Sequence, residues 1–243
     1  MKLSILVPVF NELDTVEHAL DRILAVDYPC DLELVIVDDG STDGTSDLLE
    51  KLTSAESGRI GQRIESDAGV TVALHRHPGN RGKGAAIRTA SDLATGDHMV
   101  ICDADLEYDP ADIPALLRPV LDGEAQVVYG TRRFHSHTSY SYWYVLGNKG
   151  VTTFANVLFN CYISDLETCF KLMPVSLYRE LDVRAAGFGM EAEVTGKLLR
   201  RGIRPYEVPI SYTARSREQG KKLTWRDGVE ALWLLSRIRL RGR

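Results

Sequence analysis

The sequence predicts an α/β fold: a Rossmann-like, mixed but mainly parallel sheet flanked by helices. Three observations predict it. Strand-like and helix-like segments alternate four times within about the first hundred residues. The strand-like runs are mostly apolar, as strands buried on both faces are. Three of them end in acidic residues, at the edge where open parallel sheets bind ligands.

Leu3 to Val9 is the first apolar run, leaving through Phe10-Asn11-Glu12. From Thr15 to Val26 the apolar positions Val16, Ala19, Leu20, Ile23 and Leu24 fall on one helical face. Leu32 to Val37 is a second strand, followed by Asp38-Asp39-Gly40 and a Ser/Thr-rich turn into a helix reaching Leu52. Thr53 to Asp67 is polar and lacks a period, as expected of a surface connection. Val70 to Leu74 is a third strand; His77-Pro78-Gly79-Asn80-Arg81-Gly82-Lys83-Gly84 leads to a helix from Ala85 to Ala94. Met99 to Cys102 is a fourth strand and runs straight into Asp103-Ala104-Asp105-Leu106-Glu107. Beyond it the spacing predicts a helix over Asp112 to Leu121, a strand over Gln126 to Tyr129, and a mobile loop over Phe134 to Tyr144. An amphipathic helix near Gly150 to Phe159, a helix over Met190 to Arg201, a strand over Ile203 to Tyr212 and a basic helix over Trp225 to Leu240 complete the chain. No linker divides it. One domain over 1–243 is expected, with halves over 1–110 and 111–243.

Composition excludes several classes. The chain has 243 residues, 44% hydrophobic and 26% charged, with a net charge of −5, which argues against general nucleic-acid binding. Its four cysteines form no metal-like spacing and read as reduced thiols. No signal-peptide pattern opens it, and its longest apolar stretch, Tyr142 to Ile163, is interrupted by Gly, Asn and Lys, so it makes a poor membrane span. A cytoplasmic protein is expected. After Gly196, thirteen Lys and Arg face only four acids, which points this region at phosphate or an anionic surface.

Asp103 and Asp105, with Glu107 two residues on, supply hard oxygen ligands. They suit Mg²⁺ or Mn²⁺, which bind one or two carboxylates together with substrate phosphates. The alternative, that the pair ends a strand and caps the next helix, stays open at this point. Glu12, Asp38 and Asp39 stand at neighbouring strand ends, where Asp38 and Asp39 either meet the base and ribose of a nucleotide or, ahead of Gly40, simply make a turn. Asn80-Arg81-Gly82-Lys83-Gly84 is neither a Walker loop nor a dinucleotide fingerprint. Either its glycine-rich helix start and Lys83 contact phosphate or ribose, or it simply begins a helix. Arg132 and Arg133 follow a strand, and Arg215 to Lys222 form a basic loop. Both suit phosphate. Asp165 and Glu167, and Glu191 and Glu193, are further carboxylate pairs; Asp165 ranks first among them as a general base.

Taken together, these residues resemble the family-2 glycosyltransferases of the GT-A (nucleotide-diphospho-sugar transferase) fold, in particular the branch that includes dolichyl-phosphate mannose synthase and polyprenyl-phosphate glucosyltransferases. The resemblance runs through Ile5 to Glu12, Val37 to Thr45, Asn80 to Gly84, Asp103 to Glu107, Gly130 to Arg132, Asp165 to Lys171 and the Arg215 to Leu223 loop. It implies that Pro8, Glu12, Asp39 and Lys83 line the nucleotide site, and that Asp103, Asp105 and Glu107 face a divalent metal and the diphosphate. It also implies that Arg132 meets the acceptor phosphate, with Lys149 the nearest counterpart of a second acceptor cation, and that Arg217 and Lys222 fold over the donor. The implied reaction is inverting transfer of mannose or glucose from GDP-mannose or UDP-glucose to a polyprenyl or dolichyl phosphate. The protein would then meet the membrane peripherally, on its cytoplasmic face. Three alternatives stand beside it: transfer to a hydroxyl acceptor, with Asp165 as base; a sugar nucleotidyltransferase; and a non-catalytic sugar-nucleotide binding module.

Overall fold

The computed structural model describes residues 1–54, 60, 69–132, 142–187, 189–214 and 225–240. β1 (Lys2–Val9), β2 (Asp31–Asp38), β3 (Val70–Arg76) and β4 (His98–Ile101) alternate with α1 (Val16–Ala25), α2 (Thr45–Thr53) and α3 (Lys83–Leu93). A single 3-10 turn (Pro110–Asp112) precedes α4 (Ile113–Leu121) and β5 (Val128–Arg132). Then come α5 (Tyr142–Phe159), β6 (Lys171–Pro174), α6 (Val175–Glu180), α7 (Met190–Arg200), β7 (Tyr206–Ile210) and α8 (Trp225–Leu240).

The seven strands form one sheet in the order β3-β2-β1-β4-β6-β5-β7. Every strand runs the same way except β6, which is antiparallel to both β4 and β5. The chain winds outward from β1 to β3, then returns to place β4 on the other side of β1. That reversal opens a crevice beyond the carboxyl ends of β1 and β4. Because β6 runs backwards, the residues that precede it arrive at this same edge, beside the carboxyl end of β5.

Local chemistry explains the main elements. Leu3, Ile5, Leu6 and Val7 are wholly buried, and the one polar residue buried among them, Ser4, is hydrogen-bonded to Glu33 of β2. The five periodic residues of α1 are all buried. A second, smaller core joins α5, α7 and α8 through Val151, Ala155, Ala192, Leu199, Ala231 and Leu235.

Two expectations are corrected. The segment over Phe134 to Tyr144 is not loop to its end, because α5 begins at Tyr142, a full two turns before Gly150. Gly147 and Gly150 weaken the helical pattern there, and the helix is anchored further on, where Val151 and Ala155 enter the second core. β6 and α6 had no sequence expectation: Lys171–Pro174 is four residues long and opens on a lysine. Residues 133–141 and 215–224 lie outside the described residues, and with them Arg133, Arg215, Arg217 and Lys222. The same holds for most of the connection after Thr53.

Candidate active site

The crevice is a cleft of about 380 Å³ lined from β1 by Pro8, Val9, Phe10 and Glu12, and from β2 by Asp39. Asn80, Gly82 and Lys83 close one side, and Asp103, Asp105, Glu107 and Tyr108 form the corner beyond β4. Arg132, Glu167, Cys169, Glu191 and Tyr212 form the far wall. Residues up to about two hundred positions apart in sequence, from Pro8 to Tyr212, thus converge because the sheet returns on itself twice.

Asp39 is a staple. Its carboxylate accepts hydrogen bonds from the backbone N–H of Arg81 (3.0 Å) and Gly82 (2.7 Å), and His77 Nδ1 lies 2.6 Å from its Oδ1. Thr89 meets the other ring nitrogen of His77 at 2.9 Å. Asp38 serves its own turn instead, accepting from Ser41 N at 3.0 Å and from the Ser46 hydroxyl. It does not line the cleft, so of the two neighbouring aspartates only Asp39 reaches it.

The glycine-rich stretch works differently from a phosphate cradle. Gly82 has φ +95°, and a Cβ there would lie 2.4 Å from the Ala186 carbonyl oxygen. That oxygen accepts from Gly84 N (2.7 Å) and Ala85 N (3.3 Å), so the start of α3 is already capped by the chain's own backbone. The anion-binding reading of the helix terminus therefore fails, and the glycines make room for the 185–187 segment. What enters the cleft is the Lys83 side chain. Its ammonium lies 2.8 Å from Asp103 Oδ2, 3.0 Å from Glu191 Oε1 and 3.4 Å from the Cys169 sulfur. Burial alone would lower its pKa, but Asp103, Cys169 and Glu191 hold it well above the ordinary lysine value.

Asp103 also accepts from the Cys169 thiol at 3.1 Å. Asp105 Oδ1 accepts from Glu107 N at 3.0 Å, across a left-handed Leu106 (φ 63°). That conformation costs a leucine on the order of 1 kcal/mol or more and is retained where it aims neighbouring groups. Glu107 Oε2 accepts from the Tyr212 hydroxyl at 2.6 Å. Among the described residues no three His, Cys, Asp or Glu side chains are gathered closely enough to hold a metal unaided. The donor set still fits Mg²⁺ or Mn²⁺: two carboxylates side by side in the cleft, one already balanced by a cation, leave the remaining ligands to phosphate and water.

On the far wall, Arg132 Nε lies 2.6 Å from Asp165 Oδ2 and Nη2 lies 2.7 Å from Oδ1, a two-point pair. Asn148 of α5 adds a bond to Asp165 Oδ1 at 3.2 Å. Burial would raise the Asp165 pKa, but Arg132 and Asn148 hold it below the ordinary carboxylate value. The Arg132 guanidinium also stacks over Tyr212 at 5.0 Å, and Tyr212 meets Tyr108 edge-on. Lys149, the expected second acceptor cation, is exposed on α5, and its neighbour Asn148 is the one that reaches the pair.

Sequence reasoning did not single out Tyr108, Tyr212, Cys169 or His77, whose roles arise from long-range packing. It ranked Glu167 and Glu191 below Asp165. Glu167 lines the cleft, and burial together with the charge of Glu191 raises its carboxyl to about 7. Glu191 is buried, and its Oε2 has no hydrogen-bond partner among the described residues. Glu193 instead caps Arg184 and Ala185 N–H groups outside the cleft.

Comparisons with known proteins agree on the family. Residues 4–182 match the family model described as glycosyl transferase family 2. The dodecaprenyl-phosphate galacturonate synthase of Rhizobium johnstonii is 36% identical over 135 residues, covering 55% of this chain and 36% of that protein. The undecaprenyl-phosphate 4-deoxy-4-formamido-L-arabinose transferase of Proteus mirabilis is 30% identical over 141 residues, covering 57% of this chain and 39% of its own length. The chain thus matches less than two fifths of the length of these two relatives. Glucosyl-3-phosphoglycerate synthase of Mycobacterium tuberculosis, solved with Mn²⁺, UDP and glucosyl-3-phosphoglycerate, superposes with a TM-score of 0.65 at 20% identity, over 98% of this chain and 79% of that one. It shares the fold.

Proposed function

The chain belongs to glycosyl transferase family 2, and from that premise we propose that it transfers a neutral hexose, glucose or mannose, from a nucleoside diphosphate to a polyprenyl or dolichyl phosphate. The observation that carries this reading is the pairing of two charged corners in one cleft. Asp103 and Asp105 stand where a donor diphosphate would lie, and Arg132, fixed by buried Asp165, stands opposite as the phosphate-binding cation. The relatives named for dodecaprenyl and undecaprenyl phosphate support the acceptor class.

An oxygen of the lipid phosphate attacks the anomeric carbon, and the bond from that carbon to the donor's terminal phosphate oxygen breaks, with inversion. The lipid phosphate is largely ionised at neutral pH, so its approach needs positioning more than a base. Arg132 supplies that positioning. Asp165 is a poor base because both its oxygens are engaged and its pKa is low; it keeps Arg132 charged and oriented. Lys83, beside Asp103, is placed to meet negative charge developing on the departing diphosphate. Asp39 and Pro8, with Glu12, frame the nucleotide end. Mg²⁺ or Mn²⁺ held by Asp103 and Asp105, with Glu107 near, would act as a Lewis acid on the diphosphate.

The acceptor class places the protein at a membrane surface. No helix among the described residues is long and apolar enough to cross a membrane. Val157 of α5 and Trp233 and Leu240 of α8 are exposed, Arg237 lies over the Trp233 ring at 5.0 Å, and the two helices pack together. Apolar residues with interleaved cations suit peripheral contact with an anionic cytoplasmic leaflet.

A second reading, a hydroxyl acceptor, is favoured by Glu167, whose carboxyl near 7 is poised to take a proton. One experiment separates the readings. The protein is incubated with Mn²⁺, radiolabelled UDP-glucose or GDP-mannose, and a short polyprenyl phosphate or the matching alcohol. The proposal expects labelled sugar phosphate lipid and free nucleoside diphosphate. Label on the alcohol alone favours the second reading, and release of pyrophosphate makes the protein a nucleotidyltransferase.

A further inference from the structure

We propose that Glu167 and Glu191 form a sugar-selecting wall that admits a neutral hexose and rejects a hexuronate. This rests on the nucleotide-sugar reading above and gives a role to two acids that a phosphate acceptor leaves without one. Both line the cleft, Glu191 from the first turn of α7 and Glu167 from the segment entering β6. Lys83 touches Asp103 and Glu191 at once, at 2.8 and 3.0 Å. Glu191 is therefore one ammonium away from the corner assigned to the diphosphate. A sugar attached to that diphosphate meets this wall next.

Among the described residues this wall is rich in carboxyl acceptors. Glu191 Oε2, with the side chain 5% exposed, has no partner among the described residues. A buried carboxylate oxygen in that state is costly, and a ligand O–H relieves it. Among the described residues the cations nearby are already paired. Arg132 is paired two-point with Asp165, and Lys83 is shared with Asp103. Lys171 donates to the carbonyls of Leu166 and Thr168 and faces the Tyr129 ring, with burial lowering its pKa to about 8. Hexose hydroxyls offer the missing donors. A uronate carboxylate offers only acceptors and adds a third like charge. The galacturonate in the name of the Rhizobium relative is thus the kind of sugar this wall disfavours.

Binding measures this without an acceptor. Calorimetric titrations with Mn²⁺ first identify whether UDP or GDP binds. UDP-glucose is then compared with UDP-glucuronate, or GDP-mannose with GDP-mannuronate. We expect the neutral donor to bind at least about tenfold more tightly than the uronate. In Glu167→Gln and Glu191→Gln that ratio shrinks several-fold, because each removes a negative charge while keeping the shape. Equal or tighter uronate binding to the unsubstituted protein overturns the inference. A ratio unchanged in both folded variants also overturns it. Those outcomes leave the nucleotide reading standing; failure of UDP and GDP alone to bind overturns both.

Discussion

Asp103 and Asp165 are both carboxylates within reach of a cation, yet their surroundings assign them opposite duties. Asp103 lines the cleft beside an ammonium it shares with Glu191, whereas Asp165 is clamped by a guanidinium and an amide. Asp103→Asn is expected to lower transfer by about 10²- to 10³-fold in kcat, as loss of one electrostatic anchor does. Asp165→Asn leaves Arg132 buried without its counter-charge, and such losses cost on the order of 3 kcal/mol. We expect a lower thermal midpoint and a KM for the lipid phosphate raised about tenfold or more, with the pH profile of kcat retained. A kcat collapse at unchanged KM would instead mark Asp165 as a base. The folded pKa of Asp165 is depressed below its ordinary 3.8. Its contribution to stability is complete above about pH 4 and is lost as pH falls through the depressed value. Glu167 has the opposite sign. Its folded pKa is raised from 4.5 to about 7, so the folded state binds the extra proton and stability falls as pH rises between those values. Glu167→Gln is expected to stabilise the protein above pH 7 and to change little near pH 4. Denaturant titrations at the two pH values check this.

Among the elements, the turn into α3 is where a local motif and its use diverge. Gly82→Ala would press a Cβ against the Ala186 carbonyl at a positive φ, so we expect a loss of about 1–3 kcal/mol and weaker donor binding as Lys83 shifts. Urea midpoints and donor titrations measure both. The sequence made the Gly82-Lys83-Gly84 stretch visible but left its purpose open, because the contact that explains it comes from residues about a hundred positions later. The same distinction runs through the fold. β1, β2, β3 and β4 were legible because mostly apolar runs bounded by turn residues have few other meanings. β6 was not, since four residues opening on Lys171 carry no strand signature; its place is set by pairing with β4 and β5. The first two turns of α5 were obscured by glycines that only tertiary packing overrides. In the site, acids at strand ends could be read directly. Tyr108, Tyr212 and Cys169 could not, because ordinary buried residues look the same in sequence.

At the scale of the whole molecule, the sheet gathers the donor corner and the acceptor arginine at one edge, and α5 and α8 carry apolar residues outward from the second core. We expect flotation with anionic vesicles, and a several-fold loss of bound protein for the double variant Val157→Glu, Trp233→Glu with its fold retained. Equal flotation of the two proteins would place membrane contact elsewhere. The account as a whole depends on a divalent ion and a nucleotide sugar meeting at the two aspartates beyond β4. Crystals grown with Mn²⁺ and the donor that binds test this most directly, through the anomalous signal of manganese. The account predicts a single strong peak between Asp103 and Asp105, bridged to the diphosphate. A donor ordered elsewhere on the protein, with the manganese peak away from both aspartates, would contradict it.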